Sequence, residues 1–339
     1  MTPYPFETIQ NAIDQLPRLA LNERPTPLHF CPNLTKELGG PRIFIKRDDL
    51  TGHAFGGNKS RYLEFTMGQA VDQGADAVLL SAVVQSNHCR QFAAAAARHG
   101  LKAVVVLRPN DSLMGRQVPA TGNYLLDQLY GAKVRIAPSE RLSEVISEEL
   151  DTLRQAGYSP LQVPGQRSSV AYIECALELE RQCATQQVKP DHIYIASGGT
   201  SLSGLVAGFT LLGHAPHFVG TPQSKLGGTP AEAVQAVARR ATDAAAMIGL
   251  SCTPEPQRIR VIDDYVGDYF GHLTDPALAA IRLLARTEAI LVDPAYTGKA
   301  FACLLDSVNQ GEIPADEDII FVHTGGTPLI FVYGDELLA

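Results

Sequence analysis

Short apolar runs alternate along the chain with longer segments whose apolar positions recur every three to four residues. The runs near 42–46, 77–81, 103–107, 133–136, 192–196, 217–220, 259–262 and 318–323 predict strands. Between them, 60–73, 88–99, 120–130, 143–156, 170–184, 203–212, 230–248, 276–287 and 298–309 predict helices. Such alternation predicts parallel sheets covered by helices on both faces, an α/β fold. No repeat and no low-complexity linker marks a domain boundary.

Composition narrows the function classes. With 339 residues, 45% of them hydrophobic, the chain is long enough for a large core and two domains. Its formal charge of −8 and the lack of any Lys/Arg run longer than two residues argue against nucleic-acid binding. Cys31, Cys89, Cys175, Cys183, Cys252 and Cys303 show neither a C-x-x-C pair nor metal-ligand spacing, so they read as packed, reduced thiols. Neither a signal peptide nor a membrane-spanning run is visible, and the cytoplasm is the expected compartment.

Three polar turns carry the candidate chemistry. Phe55-Gly56-Gly57-Asn58-Lys59-Ser60-Arg61 places a lysine directly after a glycine pair, at the start of a predicted helix. A phosphate-binding P-loop is excluded, since Asn58 stands where its last glycine belongs. An oriented amine can instead bond covalently to a carbonyl cofactor, pyridoxal phosphate above all; alone, the motif reads rather as a solvated helix-start lysine. Val84-Gln85-Ser86-Asn87-His88 joins a predicted strand to a predicted helix, as does Ser197-Gly198-Gly199-Thr200-Ser201. A strand–turn–helix junction directs N–H groups and the positive helix end at an anion, and the glycines and hydroxyls of the second junction suit a phosphate or, equally, an ordinary βα loop with a Ser or Thr N-cap.

With those turns the sequence resembles the aminocyclopropane-carboxylate deaminase and D-cysteine desulfhydrase family of fold-type II pyridoxal phosphate enzymes. The matching blocks are Pro25-Thr26-Pro27-Leu28, Ile43 to Leu50, Gly57-Asn58-Lys59, Gln85 to His88 with Arg90-Gln91, Asp293 to Lys299, and Phe321 to Gly326. The resemblance implies a tryptophan synthase beta-like architecture of two open parallel-type sheets flanked by helices. It implies a smaller domain at 52–165, inserted in a larger cofactor-binding domain made of 1–51 and 166–339. It also implies a homodimer.

The same resemblance assigns roles. Lys59 is expected as the Schiff-base lysine and general base, with Asn58 beside it. Asn87 is expected at the ring oxygen, and Ser86 and His88 at the substrate carboxylate, although His88 reads at least as well as a helix-start histidine satisfied by backbone. Gly198, Gly199, Thr200 and Ser201 are expected to hold the phosphate. Tyr296 is expected to face the substrate, and Thr297 to meet the ring nitrogen, with Thr324 a second candidate for that contact.

Several positions depart from the family pattern. Phe270 falls where a second substrate-side tyrosine is usual. Threonine at 297, where the cyclopropane-opening branch has glutamate, matches the desulfhydrase-like branch. Tyr62 stands where lysine is usual, and the loop Pro164 to Ser169 is short and carries Arg167, which reads either as a partner for an acidic substrate group or as a solvated arginine. The leading expectation is a lyase that takes a small amino acid by α,β-elimination to a 2-oxo acid and ammonia, desulfhydrase-like or cysteate sulfo-lyase-like. Racemisation or β-replacement on the same scaffold is the alternative, and a non-catalytic cofactor-binding relative the third.

Overall fold

The computed structural model describes residues 2–109, 120–163, 165 and 167–339. Its helices, in chain order, are α1 (Phe6–Asp14), α2 (Pro32–Leu38), α3 (Asn58–Asp72), α4 (Asn87–Arg98), α5 (Gly122–Leu129), α6 (Leu142–Gln155), α7 (Val170–Gln186), α8 (Thr200–Leu212), α9 (Pro230–Met247), α10 (Asp275–Glu288), α11 (Thr297–Asn309) and α12 (Gly334–Leu338). The strands are β1 (Leu28–Phe30), β2 (Arg42–Lys46), β3 (Ala77–Val83), β4 (Lys102–Arg108), β5 (Lys133–Ile136), β6 (Pro160–Gln162), β7 (His192–Ile195), β8 (His217–Gly220), β9 (Ile259–Val261) and β10 (Asp318–Val322). They form two sheets, ordered β1-β2-β10-β7-β8-β9 and β5-β4-β3-β6. All pairings are parallel except β1 with β2.

Two-sided burial explains the unbroken apolar runs. In the larger sheet Ile193, Ile195, Ile320 and Val322 pack with α1, α7, α8 and α9. Their neighbours Tyr194, Ile319 and Phe321 point the other way, among α2, α10 and α11. In the smaller sheet Val78, Leu80, Val105 and Leu107 meet α3 and α4, while Ala77, Leu79, Val104 and Val106 meet α6. The inner strands therefore have little solvent face on which to place polar residues, while the edge strands β1, β5 and β6 keep exposed positions.

The predicted strands and helices are all present, with some boundaries moved. The α3 helix starts at Asn58 and α8 at Thr200, which puts Lys59 and Ser201 inside first turns and not in the preceding loops. The elements not expected are α1, α2, α12, β1 and β6. Strand β1 buries one residue and β6 none, and β6 opens on a proline that only a sheet edge tolerates. The α2 helix did carry terminal signals, Pro32 in its first turn and Gly39 at φ 61° after its end. No described helix is long and apolar enough to cross a membrane. All six cysteines are buried and unpaired.

Candidate active site

A cavity of about 760 Å³ opens where the C-terminal ends of both sheets meet. Its lining comes from the loops after β3, β4, β7, β8 and β10 and from the first turns of α3, α4 and α8. Open parallel sheets present loops and helix N-termini at this edge, so ligands bind there. The described lining includes Lys59, Arg108, Lys225 and Arg240 and no carboxylate, in a chain that is acidic overall.

Lys59 is held by strained backbone and by buried charge. Ala54, Phe55, Gly56 and Gly57 all have positive φ, the last at 125°, and turn the chain sharply into α3. A side chain at Gly56 would collide with the carbonyl of Asp49, and one at Gly57 would come within 2.8 Å of Gln91 Nε2. Gly57 N–H donates to Asp48 O at 2.9 Å and Asn58 N–H to Thr324 O at 3.0 Å, which ties the turn to the ends of β2 and β10. One helical turn on, Arg61 is fully buried and donates to Asp48 Oδ1 at 2.8 Å and to Glu178 Oε1 at 2.9 Å. Lys46 and Tyr172 join the same network, Lys46 at Glu178 and Tyr172 at Asp48. The matching blocks Pro25 to Leu28 and Ile43 to Leu50 therefore supply, through Thr26, Lys46 and Asp48, the clamp on α3. The Lys59 amine itself lies 4.7 Å from the Tyr62 ring centre, and burial lowers its pKa to about 8.

The α4 turn is a set of donors with fixed directions. Ser86 Oγ caps the helix, accepting from His88 N–H at 3.1 Å and Cys89 N–H at 3.2 Å, so its own proton remains available to donate. Asn87 Oδ1 accepts from Arg90 at 2.7 Å and Asn123 at 3.0 Å. With its oxygen so occupied, the Asn87 amide offers N–H donors to the cavity it lines. His88 lines the cavity too. Its Nε2 is buried without a hydrogen-bond partner, and burial, with the Lys59 charge, lowers its pKa to about 3. It is a neutral imidazole.

The third turn opens α8. Ser197 Oγ accepts from Gly199 N–H at 3.3 Å and Leu202 N–H at 3.4 Å, while first-turn N–H groups such as that of Thr200 have no acceptor within the helix. Gly198 has no room for a side chain, since a Cβ would lie 2.8 Å from Pro222 Cβ. The helix is seated by Gly204 and Gly208, where a Cβ would strike Tyr172 and Ala176 at 2.5 Å on α7. Gly198, Gly199 and Thr200 line the cavity, whereas Ser201 lies just behind it, accepting from Asn58 Nδ2 at 3.1 Å and in contact with the Tyr62 hydroxyl.

The remaining sequence-derived residues separate into two groups. Tyr296 lines the cavity with Phe270, their ring centres 5.6 Å apart and near edge to face. Thr324 lines it as well. Thr297 is fully buried behind that wall: its hydroxyl donates to Asp293 Oδ1 at 2.6 Å and accepts from Asp293 N–H at 2.8 Å. Arg167 is not among the described lining residues, and its Nη1 is buried without a partner. Three contributors were not singled out from sequence. Asn123 orients Asn87, and Asp293 accepts from the N–H groups of Ala295, Tyr296 and Thr297 and so shapes the tyrosine loop. Arg240, from the alanine-rich α9, reaches the α8 turn. Asp293 stands in a matched block, but Asn123 and Arg240 carry no local signal.

The family profile described as pyridoxal-phosphate dependent enzyme matches residues 19–325. The chain belongs to the pyridoxal-phosphate dependent enzymes. Within this family it is 35% identical over 340 residues to a D-cysteine desulfhydrase of Klebsiella pneumoniae, covering 97% of this chain and all of that one. It is 37% identical over 336 residues to a D-cysteine desulfhydrase of Yersinia enterocolitica, covering 96% and 98%. A crystal structure of an ACC deaminase homologue superposes with a TM-score of 0.83 at 33% identity, over 100% of this chain and 99% of that one. The cavity of this pyridoxal-phosphate dependent enzyme fits its cofactor. It has an amine of lowered pKa, an amide with its donors free, and a helix start whose glycines leave room for phosphate oxygens.

Proposed function

We propose that the protein eliminates the β-substituent of a small amino acid, releasing a 2-oxo acid and ammonia with one water consumed. The observation that carries this reading is the amine of Lys59, brought to a pKa of about 8 inside a cavity with anion-binding helix starts on two sides. The cofactor, when bound, supplies the carbonyl that captures the amino group and the ring that stores the electron pair left at Cα. The chain supplies the rest. Ser86 Oγ and the N-terminal N–H groups of α4 bind the substrate carboxylate. Neutral Lys59 accepts the proton from Cα. Asn87 Nδ2 would donate to the ring oxygen, and Gly198, Gly199 and Thr200 would form the phosphate cup, with Ser201 behind them accepting from Asn58. The hydroxyl of Thr324 serves the ring nitrogen, because that of Thr297 is spent on Asp293. A neutral hydroxyl hydrogen-bonds that nitrogen without holding a proton on it.

Elimination suits this site better than opening of a cyclopropane ring. A thiol or similar group leaves on its own once Cα is deprotonated, whereas ring opening requires protons delivered to carbon. Phe270 cannot deliver one, which leaves Tyr296 as its partner's only phenol in that pair. D-Cysteine is the first substrate to test, given the desulfhydrases this chain matches. D-Cysteine, L-cysteine, β-chloro-D-alanine, L-cysteate and aminocyclopropane carboxylate are to be compared for 2-oxo acid release. Turnover of D-cysteine or another β-substituted substrate is expected; efficient turnover of the cyclopropane substrate alone, or of none, overturns the reading.

Residues 52–165 form the smaller domain of this enzyme and 1–51 with 166–339 the larger. The working molecule is a cytoplasmic homodimer. Six buried, unpaired thiols support a reducing compartment, and the exposed Phe30 on edge strand β1 and Phe331 near the C-terminus support a further apolar contact.

A further inference from the structure

We propose that Arg240 is the cationic partner of the cofactor phosphate, a charge delivered from α9 in place of one that α3 does not carry in this chain. The inference rests on the cofactor assignment and not on the choice of substrate. The Arg240 guanidinium lies against the α8 turn: a Cβ built on Gly199 would stand 2.6 Å from Arg240 Nη1. Arg240 lines the same cavity as Gly198, Gly199 and Thr200. No hydrogen bond or ion pair within the described residues engages it, in contrast to Arg61 and Arg90 nearby, which are held by Asp48, Glu178, Asn87 and Asn123. A guanidinium beside free helix N–H groups completes a dianion site, adding charge-assisted donors where backbone alone supplies dipoles.

Position 62 explains why the charge comes from α9. The family pattern has lysine there, and this chain has Tyr62. The Tyr62 hydroxyl contacts Ser201 of the α8 first turn, so a side chain at this position ends at the same turn that Arg240 reaches. A lysine at 62 would bring its ammonium to the cup. With tyrosine the position contributes a neutral hydroxyl, which burial raises far above its ordinary pKa, and no cation from α3 other than the reactive Lys59 lines the cavity. Lys225, from the loop after β8, is exposed, as Arg240 is, but its ammonium is engaged, donating to the carbonyl of Asp263 at 2.9 Å. Gly199 then has a second reason to be glycine: a side chain there would push the guanidinium off the turn.

The test reads cofactor binding and not turnover. Holoenzyme is stripped of cofactor and titrated with pyridoxal phosphate and, separately, with pyridoxal, following the absorbance of the bound form. Arg240→Gln is expected to weaken pyridoxal phosphate binding by about 10- to 100-fold, the range of a charge-assisted contact, and to leave pyridoxal binding unchanged. Arg240→Lys is expected to recover part of the loss, and Tyr62→Lys in the Arg240→Gln background to restore binding from the other side of the cup. Thermal melts of the stripped proteins control for folding. Equal affinity of wild type and Arg240→Gln for pyridoxal phosphate overturns the assignment, as does an equal loss for pyridoxal. A raised KM for the amino acid with cofactor affinity intact also overturns it, placing Arg240 at the substrate instead. Lack of turnover on every amino acid tried would sink the elimination reading and leave this comparison standing.

Discussion

Lys59 has two properties that an exposed lysine lacks, a fixed direction and a lowered pKa. Burial penalises the ammonium form, so the neutral amine that attacks a carbonyl is populated from about pH 8 upward and not from the ordinary 10.5. Covalent uptake of cofactor by the stripped protein should therefore accelerate as pH rises through about 8 and then level off; a rate still climbing steeply past pH 10 would contradict it. His88 stays neutral throughout that range, its pKa near 3, and adds no limb to the profile. Tyr296 differs in kind, since its phenol is pushed well above its usual pKa by burial and remains a proton carrier in neutral form. Tyr296→Phe should lower kcat by roughly 10²-fold with cofactor still bound, the scale of a lost proton donor. Unchanged kcat would make Tyr296 a packing residue beside Phe270. Lys59, Asn87 and Tyr296 were legible because each sits in a short block with a recognisable neighbour. Arg240 was not, because its role depends on where α9 lies and not on what flanks it in the chain.

At the scale of elements, the site depends on how α3 and α8 are seated. The α3 helix is pinned through Arg61, Asp48, Lys46 and Glu178, charges with little or no exposure to water. Arg61→Ala leaves Asp48 with a buried negative charge and no counter-ion, so it should cost about 3–5 kcal/mol of folding stability. Urea unfolding would measure it, and a loss under 1 kcal/mol would mean that the pair contributes little. The α8 helix is seated by close approach to α7 at Gly204 and Gly208. Periodicity revealed both helices but not their first residues. The difference matters here, since Lys59 and the proposed phosphate cup lie within a residue or two of those starts. Strands such as β7 and β10 were visible because burial on both faces made them continuous apolar runs; β1 and β6 were invisible because they bury one residue and none, whereas the equally short edge strand β9 buries Ile259 and Val261.

The whole molecule places two mainly parallel sheets so that the C-terminal ends of their parallel strands face one cavity. The acidic chain gathers cations there, which favours a phosphorylated cofactor and the carboxylate end of a zwitterionic amino acid. The proposed twofold assembly belongs at this scale. Light scattering should return twice the chain mass across a wide concentration range, and a monomer mass throughout would refute it.

The sequence alone determined the α/β class, the family and the cofactor, and it picked out the lysine, the Ser86 turn and the glycine-rich turn that line the cavity. These are local matters: an apolar run, a glycine pair or a helix start is written in adjacent residues, because the backbone conformations they allow depend on near neighbours. Tertiary structure decided the rest. It turned the Thr297 hydroxyl inward to Asp293 while leaving Thr324 at the cavity wall. It also aimed the Asn87 amide by occupying its oxygen from Arg90 and Asn123, and brought Arg240 across to Gly199. Each of these pairs residues far apart in the chain or chooses between near-identical neighbours. Such choices follow from packing and from satisfying buried polar groups, which no stretch of sequence states by itself.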